Sequence, residues 1–131
     1  MSKLTNPEAF QLEGATILAA AYSAFPSPFG WTYDADTELY PTDTGRTRQQ
    51  IQFDTIRWLI DHDYLYDGGV VGGQWINLRL TERALNVLNS VPDVLEGKEP
   101  LGKRLVAAVR KGSFEVIKQL VPVLIAKAFG A

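Results

Sequence analysis

The chain has 131 residues, of which 46% are hydrophobic and 21% are charged, a composition typical of an ordinary globular domain. It contains no cysteine and a single histidine, His62. Disulfide frameworks, thiolate metal sites, iron–sulfur clusters, cysteine nucleophiles and multi-histidine metal sites within one chain are therefore excluded. We expect one compact, non-enzymatic unit with its own hydrophobic core and no cofactor.

Charge is distributed unevenly along the chain. Residues 1–99 carry seven Lys or Arg against fourteen Asp or Glu, a net charge of −7, whereas residues 100–131 carry six against one, a net charge of +5. An acidic body repels nucleic acid, while a basic C-terminal segment attracts acidic partners, phosphate or anionic lipid. An electrostatic partner is therefore expected at the C-terminal segment.

The sequence also bears on localisation. Charged residues interrupt the apolar character of the N-terminal segment, so no secretory signal is expected there. The apolar stretch at residues 119–126 is far shorter than the roughly 20 apolar residues of a transmembrane helix. We therefore expect a cytoplasmic protein that does not span a membrane.

The N-terminal third predicts one helix and a long loop. Asn6 as the N-cap, Pro7 in the first turn and Glu8 behind it predict a helix over residues 7–24. Residues 26–45 hold prolines, glycines and acidic residues without sustained periodicity, which predicts an ordered loop with one short element. Its aromatic residues are too apolar to be left wholly in water; they are Phe29, Trp31, Tyr33 and Tyr40.

The middle of the chain predicts a helix, a hairpin and a short helix. Apolar residues at helical spacing indicate a helix over residues 47–62. Two runs of strand-forming residues, 64–66 and 75–80, flank a glycine-rich turn and predict a β-hairpin with a flexible tip. Thr81 is expected to cap a short helix over residues 82–90.

The C-terminal segment predicts an amphipathic helical extension that begins at Leu101. Gly112 is expected to end a first helix, Ser113 to cap a second, and Pro122 to kink it. Beyond Leu120 the chain is apolar nearly all round, so we expect a second copy, a partner protein or a membrane surface to cover it. The expected interface comprises Val116, Leu120, Val121, Leu124, Ala128 and Phe129.

The order of these elements resembles a winged-helix (winged helix-turn-helix) domain, an α+β fold. FDTIRWLIDHDYL at residues 53–65 looks like the end of a recognition helix that runs into the first wing strand, and WINLRLTERALNVL at residues 75–88 looks like the second wing strand followed by a helix. The resemblance implies a winged-helix-like domain over residues 1–91 and a basic extension over residues 92–131. In such domains the recognition helix and the wing tip contact DNA. The corresponding residues are Arg46, Arg48, Gln49, Gln50, Arg57, Gly72, Gly73 and Gln74.

Two functions remain open at this point. The resemblance implies a DNA-binding transcriptional regulator, with duplex DNA as its partner and a homodimer formed through the extension. The charge distribution favours a protein-interaction adaptor whose basic C-terminal helix docks on a partner protein or an anionic membrane surface.

Three weaker patterns are better explained by structure than by chemistry. Alternating carboxylates at residues 34–38 look like the start of a calcium loop, but Leu39 and Gly45 stand where an EF-hand needs glycine and glutamate. His62 lies between two aspartates, yet adjacent helical positions do not face each other, so a helix-end histidine is expected. The hairpin glycines lack the lysine of a phosphate-binding loop, which favours a hairpin tip.

Overall fold

A computed structural model describes residues 4–31, 39–42, 45–72, 74–92 and 97–130, with side chains described as far as residue 126. Within these ranges the chain is α+β, as predicted, with five helices and a small antiparallel sheet of four strands, and it is compatible with a winged-helix-like layout. No helix in the same ranges is both long enough and apolar enough to cross a bilayer. The elements are α1 (Asn6–Ala24), β1 (Phe29–Trp31), α2 (Arg48–Asp61), β2 (Leu65–Tyr66), β3 (Val70–Val71), β4 (Gln74–Leu80), α3 (Glu82–Asn89), α4 (Leu101–Lys111) and α5 (Phe114–Gly130).

Helices α1 and α2 both begin with a capping box. The Thr5 hydroxyl accepts a hydrogen bond from the Glu8 N–H at 3.2 Å, and the Glu8 carboxylate accepts one from the Thr5 N–H at 2.9 Å. Thr47 and Gln50 form the same reciprocal pair at α2. The prediction of Asn6 as the first cap is wrong by one residue, because only Thr5 combines a hydroxyl with a glutamate three residues later.

The sheet is built around β4. Strand β1 pairs with one edge of β4, while β2 and β3 pair with the other. The predicted hairpin is confirmed, but the glycine-rich segment contains the additional strand β3. Gly68 permits this pairing, since a Cβ on it would lie 2.2 Å from the carbonyl oxygen of Ile76.

In its described residues, the loop predicted between α1 and α2 contains one short element, strand β1, as expected. Of its four aromatic residues, Tyr40 is buried and both Phe29 and Trp31 are half-buried against the core. Tyr33 and the acidic residues 34–38 lie outside the described residues. The aromatic residues that can be placed therefore contribute to the core rather than to an exposed surface.

Helices α4 and α5 share one hydrophobic core with α1, α3 and the sheet. The predicted division between the two helices is confirmed. Gly112 ends α4 with φ of +66°, a conformation that glycine adopts at no steric cost. Ser113 directly precedes α5, and its hydroxyl accepts a hydrogen bond from the Val116 N–H at 3.5 Å.

The premise of a free apolar surface on α5 is wrong for three of the four expected members whose side chains are described. Leu120, Val121 and Leu124 are buried in the chain's own core, whereas Val116 is 38% exposed. The buried side of α1 is rich in alanine and glycine, so large side chains from α5 fill the space beside it. The side chains of Ala128 and Phe129 lie outside the described residues.

Candidate functional site

The residues that the resemblance assigns to DNA contact lie on the outer side of α2 and on the hairpin formed by β2, β3 and β4. Arg57 joins the two regions, because its guanidinium lies over the Trp75 ring at 5.0 Å and 3.9 Å from the Asp67 carboxylate. Gly73 lies outside the described residues. The others are exposed: Arg46, Arg48, Gln49, Gln50, Arg57, Gly72 and Gln74.

Each arginine of this region, which we call the α2 face (Arg46, Arg48 and Arg57), lies against a carboxylate. Arg46 forms an ion pair with Asp54 on the exposed side of α2. Arg48 Nε lies 3.3 Å from Oε1 of Glu13. Since Asp67 accompanies Arg57, the α2 face carries little uncompensated positive charge. Affinity for DNA phosphates comes from cations that are free to neutralise them, so this pairing weakens the DNA interpretation.

A buried carboxylate, Glu13, organises the inner side of the α2 face. Its side chain accepts hydrogen bonds of 2.8 Å from the Tyr40 hydroxyl and 2.8 Å from the Gln52 amide. The Gln52 carbonyl oxygen accepts a further hydrogen bond from the Trp31 indole at 3.1 Å. Burying a carboxylate is costly unless it is hydrogen-bonded and paired, and this network with Arg48 meets both conditions.

The network changes the protonation chemistry of Tyr40. Burial, together with the adjacent Glu13 charge and hydrogen bond, raises the pKa of the Tyr40 hydroxyl far above its usual range, and Arg48 opposes the shift. Tyr40 therefore stays a hydrogen-bond donor at physiological pH. Sequence analysis missed Glu13, although one signal was present: Glu13 stands four residues before the buried Ile17, on the apolar side of α1.

His62 has a structural role at the end of α2. It is the C-cap residue, as the helix-end prediction requires, and its Nδ1 lies 2.9 Å from the Trp58 carbonyl oxygen. The imidazole also stacks on the Trp58 ring at 3.8 Å. Within the described part of the chain, no group of three or more His, Asp or Glu side chains could hold a metal ion.

A different set of cations lies on the outer side of α4. At about 100° per residue, Lys103, Arg110 and Lys111 fall within one arc of the helix, and all three are exposed. We call them the α4 basic face; exposed Lys98 lies just before the helix. Within the described ranges none of these cations has a carboxylate partner, in contrast to Lys118, which lies 3.3 Å from Glu8.

The α4 basic face stands on a fixed support. Leu101, Leu105 and Ala108 are buried on the opposite side of α4, which packs against α1, α3 and α5. Gly102 allows a close approach to α1, since a Cβ on it would lie 2.6 Å from the Tyr22 ring. The three cations therefore project from a helix whose orientation the core determines.

Comparison with known proteins identifies no relative. No protein-family model, no curated protein and no solved structure matches the chain. The two charged surfaces described above, the α2 face and the α4 basic face, are therefore the basis for assigning a function.

Proposed function

We propose that the protein is a non-enzymatic interaction module that binds an acidic segment of a partner protein through the α4 basic face. One contrast carries the proposal. The three cations of the α4 basic face are exposed and have no carboxylate partner among the described residues, whereas every arginine of the α2 face lies against one. No ion pair among the described residues needs to be broken for these cations to bind a partner.

The burial of the apolar side of α4 favours a protein partner over a lipid surface. A helix that lies in a membrane interface inserts its apolar side among the lipids. The apolar side of α4, including Leu101 and Leu105, is already buried in the core. None of the large apolar side chains exposed in the described ranges belongs to α4, so lipid would be held by charge alone.

The charge of the body favours a short acidic segment over a nucleic acid. Residues 1–99 carry a net charge of −7, and a duplex presents phosphates along its whole length. Such a long polyanion would meet repulsion outside the extension. A short acidic segment needs to contact only α4, where Lys103, Arg110 and Lys111 supply opposite charge.

Duplex DNA is the second candidate, and one observation favours it. Arg57 bridges α2 and the hairpin, so the two regions that a winged-helix-like protein uses on DNA form one continuous surface here. Gln49 and Gln50 are exposed beside it and can donate and accept hydrogen bonds. Phosphates would have to replace the carboxylates that now accompany the arginines.

The test compares two triple variants that lose the same positive charge. The α4 variant carries Lys103→Gln, Arg110→Gln and Lys111→Gln. The control variant carries Arg46→Gln, Arg57→Gln and Arg79→Gln, which are all exposed and lie just before α2, on α2 and on β4. Fluorescence anisotropy at about 50 mM salt measures the binding of a labelled polyglutamate peptide and of a labelled duplex oligonucleotide to both variants and to the unmodified protein.

We expect the unmodified protein and the control variant to bind the peptide with the same affinity. The α4 variant should bind the peptide at least about tenfold more weakly. Equal peptide affinity in the two variants would contradict the proposal. Tighter binding to duplex that only the control variant loses would establish the DNA candidate instead. If the protein sediments with phosphatidylserine vesicles but does not bind the peptide, the partner is a membrane and not a protein.

A further inference from the structure

A cleft of about 300 Å³ opens between α1 and α2, and none of its lining residues belongs to α4. Its floor is apolar: the rings of Phe10 and Trp58 meet edge to face at 4.7 Å, with Ile51 half-buried beside them. Its mouth holds the ion pair of Arg46 and Asp54, whose side chains are 53% and 56% exposed. The cleft thus combines an aromatic floor with one cation and one anion at the entrance.

We propose that this cleft binds a small aromatic zwitterion of the phenylalanine type. The ring lies on the floor against Phe10 and Trp58, the ligand carboxylate bonds to the Arg46 guanidinium, and the ligand ammonium bonds to the Asp54 carboxylate. The proposal goes beyond the interaction function of α4 and does not depend on it.

The two charges at the mouth select for a ligand that carries both signs. A ligand with a single charge would engage either Arg46 or Asp54 and deprive the other of its partner. A zwitterion exchanges one exposed ion pair for two charge-assisted hydrogen bonds, which are stronger than neutral ones. Because the mouth has no net charge, a ligand without net charge also meets no long-range repulsion.

The floor favours an apolar ring. Among the described lining residues Thr55 supplies the one hydroxyl, which donates its hydrogen to the Ile51 carbonyl oxygen at 2.7 Å, and Asn6 supplies the one carboxamide. A phenol or nucleobase laid against Phe10 and Trp58 would exchange hydrogen bonds to water for contact with aromatic rings. The volume lies at the lower end of the range for small-molecule pockets, which fits a single-ring ligand.

The first test titrates four probes into the unmodified protein. Binding is monitored by NMR through the chemical shifts of the backbone amide and indole N–H groups. L-Phenylalanine carries all three groups, whereas L-alanine lacks the ring, phenethylamine lacks the carboxylate and 3-phenylpropionate lacks the ammonium. We expect L-phenylalanine to bind with a dissociation constant on the order of 1 mM or below, with shifts centred on Thr55 and Trp58. Each of the other probes should bind at least about tenfold more weakly.

The second test uses variants at the mouth, where folding is little affected because both side chains are exposed. Asp54→Asn should weaken the binding of L-phenylalanine at least about tenfold but strengthen that of 3-phenylpropionate, because Arg46 then binds a carboxylate without depriving Asp54 of its partner. Arg46→Gln should weaken the binding of L-phenylalanine to the same extent and strengthen that of phenethylamine for the corresponding reason. Asp61→Asn is the control, since Asp61 is exposed on the same helix and does not line the cleft.

Any of four results would overturn the proposal. The first three are an absence of shifts with L-phenylalanine at about 10 mM, equal binding of L-alanine, and mouth variants that bind L-phenylalanine as tightly as the Asp61→Asn control. Shifts centred away from Thr55 and Trp58 would overturn it as well. The probe series on the unmodified protein keeps the test decisive even where a variant fails to fold.

Discussion

The hydroxyl of Tyr40 donates a 2.8 Å hydrogen bond to Oε2 of Glu13, a carboxylate that is only 2% exposed. The bond joins α1 to the segment that leads into α2, and Gln52 completes the contact from α2 itself at 2.8 Å. Because a buried carboxylate has lost its water, each protein donor that it keeps is worth more than the same bond at the surface.

Tyr40→Phe should therefore destabilise the protein by about 2 kcal/mol, since it removes a donor from a buried charge and leaves the ring in place. Tyr22→Phe is the matched control, because the Tyr22 hydroxyl donates to Asn89 at 3.0 Å in an exposed position. The control should change the free energy of unfolding by no more than about 0.5 kcal/mol. Urea denaturation measures both values; equal losses would show that burial of Glu13 adds nothing to the bond.

Alkaline pH should destabilise the protein through two buried tyrosines. Burial raises the pKa of the Tyr64 hydroxyl, with Arg83 opposing the shift, and the pKa of Tyr40 is raised by burial and Glu13. Above about pH 10 the unfolded chain releases these protons while the folded protein keeps them. The stabilisation that each neutral hydroxyl provides is thus complete below that pH and is lost as pH rises towards the folded pKa.

The expected loss is about 1.4 kcal/mol per pH unit for each tyrosine in this window. Tyr40→Phe and Tyr64→Phe should each flatten the dependence of unfolding free energy on pH, and the double variant should flatten it most. Titration of lysines contributes equally to all four proteins, so the comparison isolates the tyrosines. A slope in the double variant equal to that of the unmodified protein would refute the assignment.

Local patterns predicted most of the helices and the hairpin because their determinants are adjacent in sequence. Gly112 and Ser113 divide α4 from α5 through turn and cap geometry that no distant residue needs to supply. Strand β3 was missed, because two valines among glycines become a strand only by pairing with β4. The burial of Leu124 was missed for a similar reason, since it depends on the packing of α5 against α1, α3 and α4.

The candidate sites also combine features that the local sequence predicts with contacts that depend on distant residues. The exposure of Arg48 at the start of α2 follows from its position on the helix, and the structure agrees. Its ion pair with Glu13 joins residues that are 35 positions apart, and no local pattern predicts such a contact. The α4 basic face was visible in sequence as charge. Its lack of carboxylate partners among the described residues became visible only with the positions of the surrounding acidic side chains.

Helix α4 packs closely against α1 because Gly102 has no side chain. A Cβ there would lie 2.6 to 2.8 Å from three atoms of the Tyr22 ring, and such overpacking costs about 1–3 kcal/mol. Alanine also favours a helix over glycine by about 1 kcal/mol, so Gly102→Ala should destabilise the protein by up to about 2 kcal/mol net. In a Tyr22→Ala background the clash is gone, and the same substitution should become stabilising. A thermodynamic cycle of the four proteins measures the coupling; additive effects would contradict this contact.

The burial of Leu124 indicates a role in the core of the chain and not in an interface with a second copy. Leu124 is 2% exposed within a single chain, whereas Val116 on the same helix is 38% exposed. Leu124→Ala should therefore cost about 2–5 kcal/mol through the lost burial and the cavity left behind, while Val116→Ala should change stability by no more than about 0.5 kcal/mol. A core role also predicts an unfolding midpoint that is independent of protein concentration, because association would make it depend on concentration by mass action. Two results together would contradict a core role. The Leu124→Ala protein would keep its stability as a monomer, and light scattering would give it a lower molar mass than the unmodified protein.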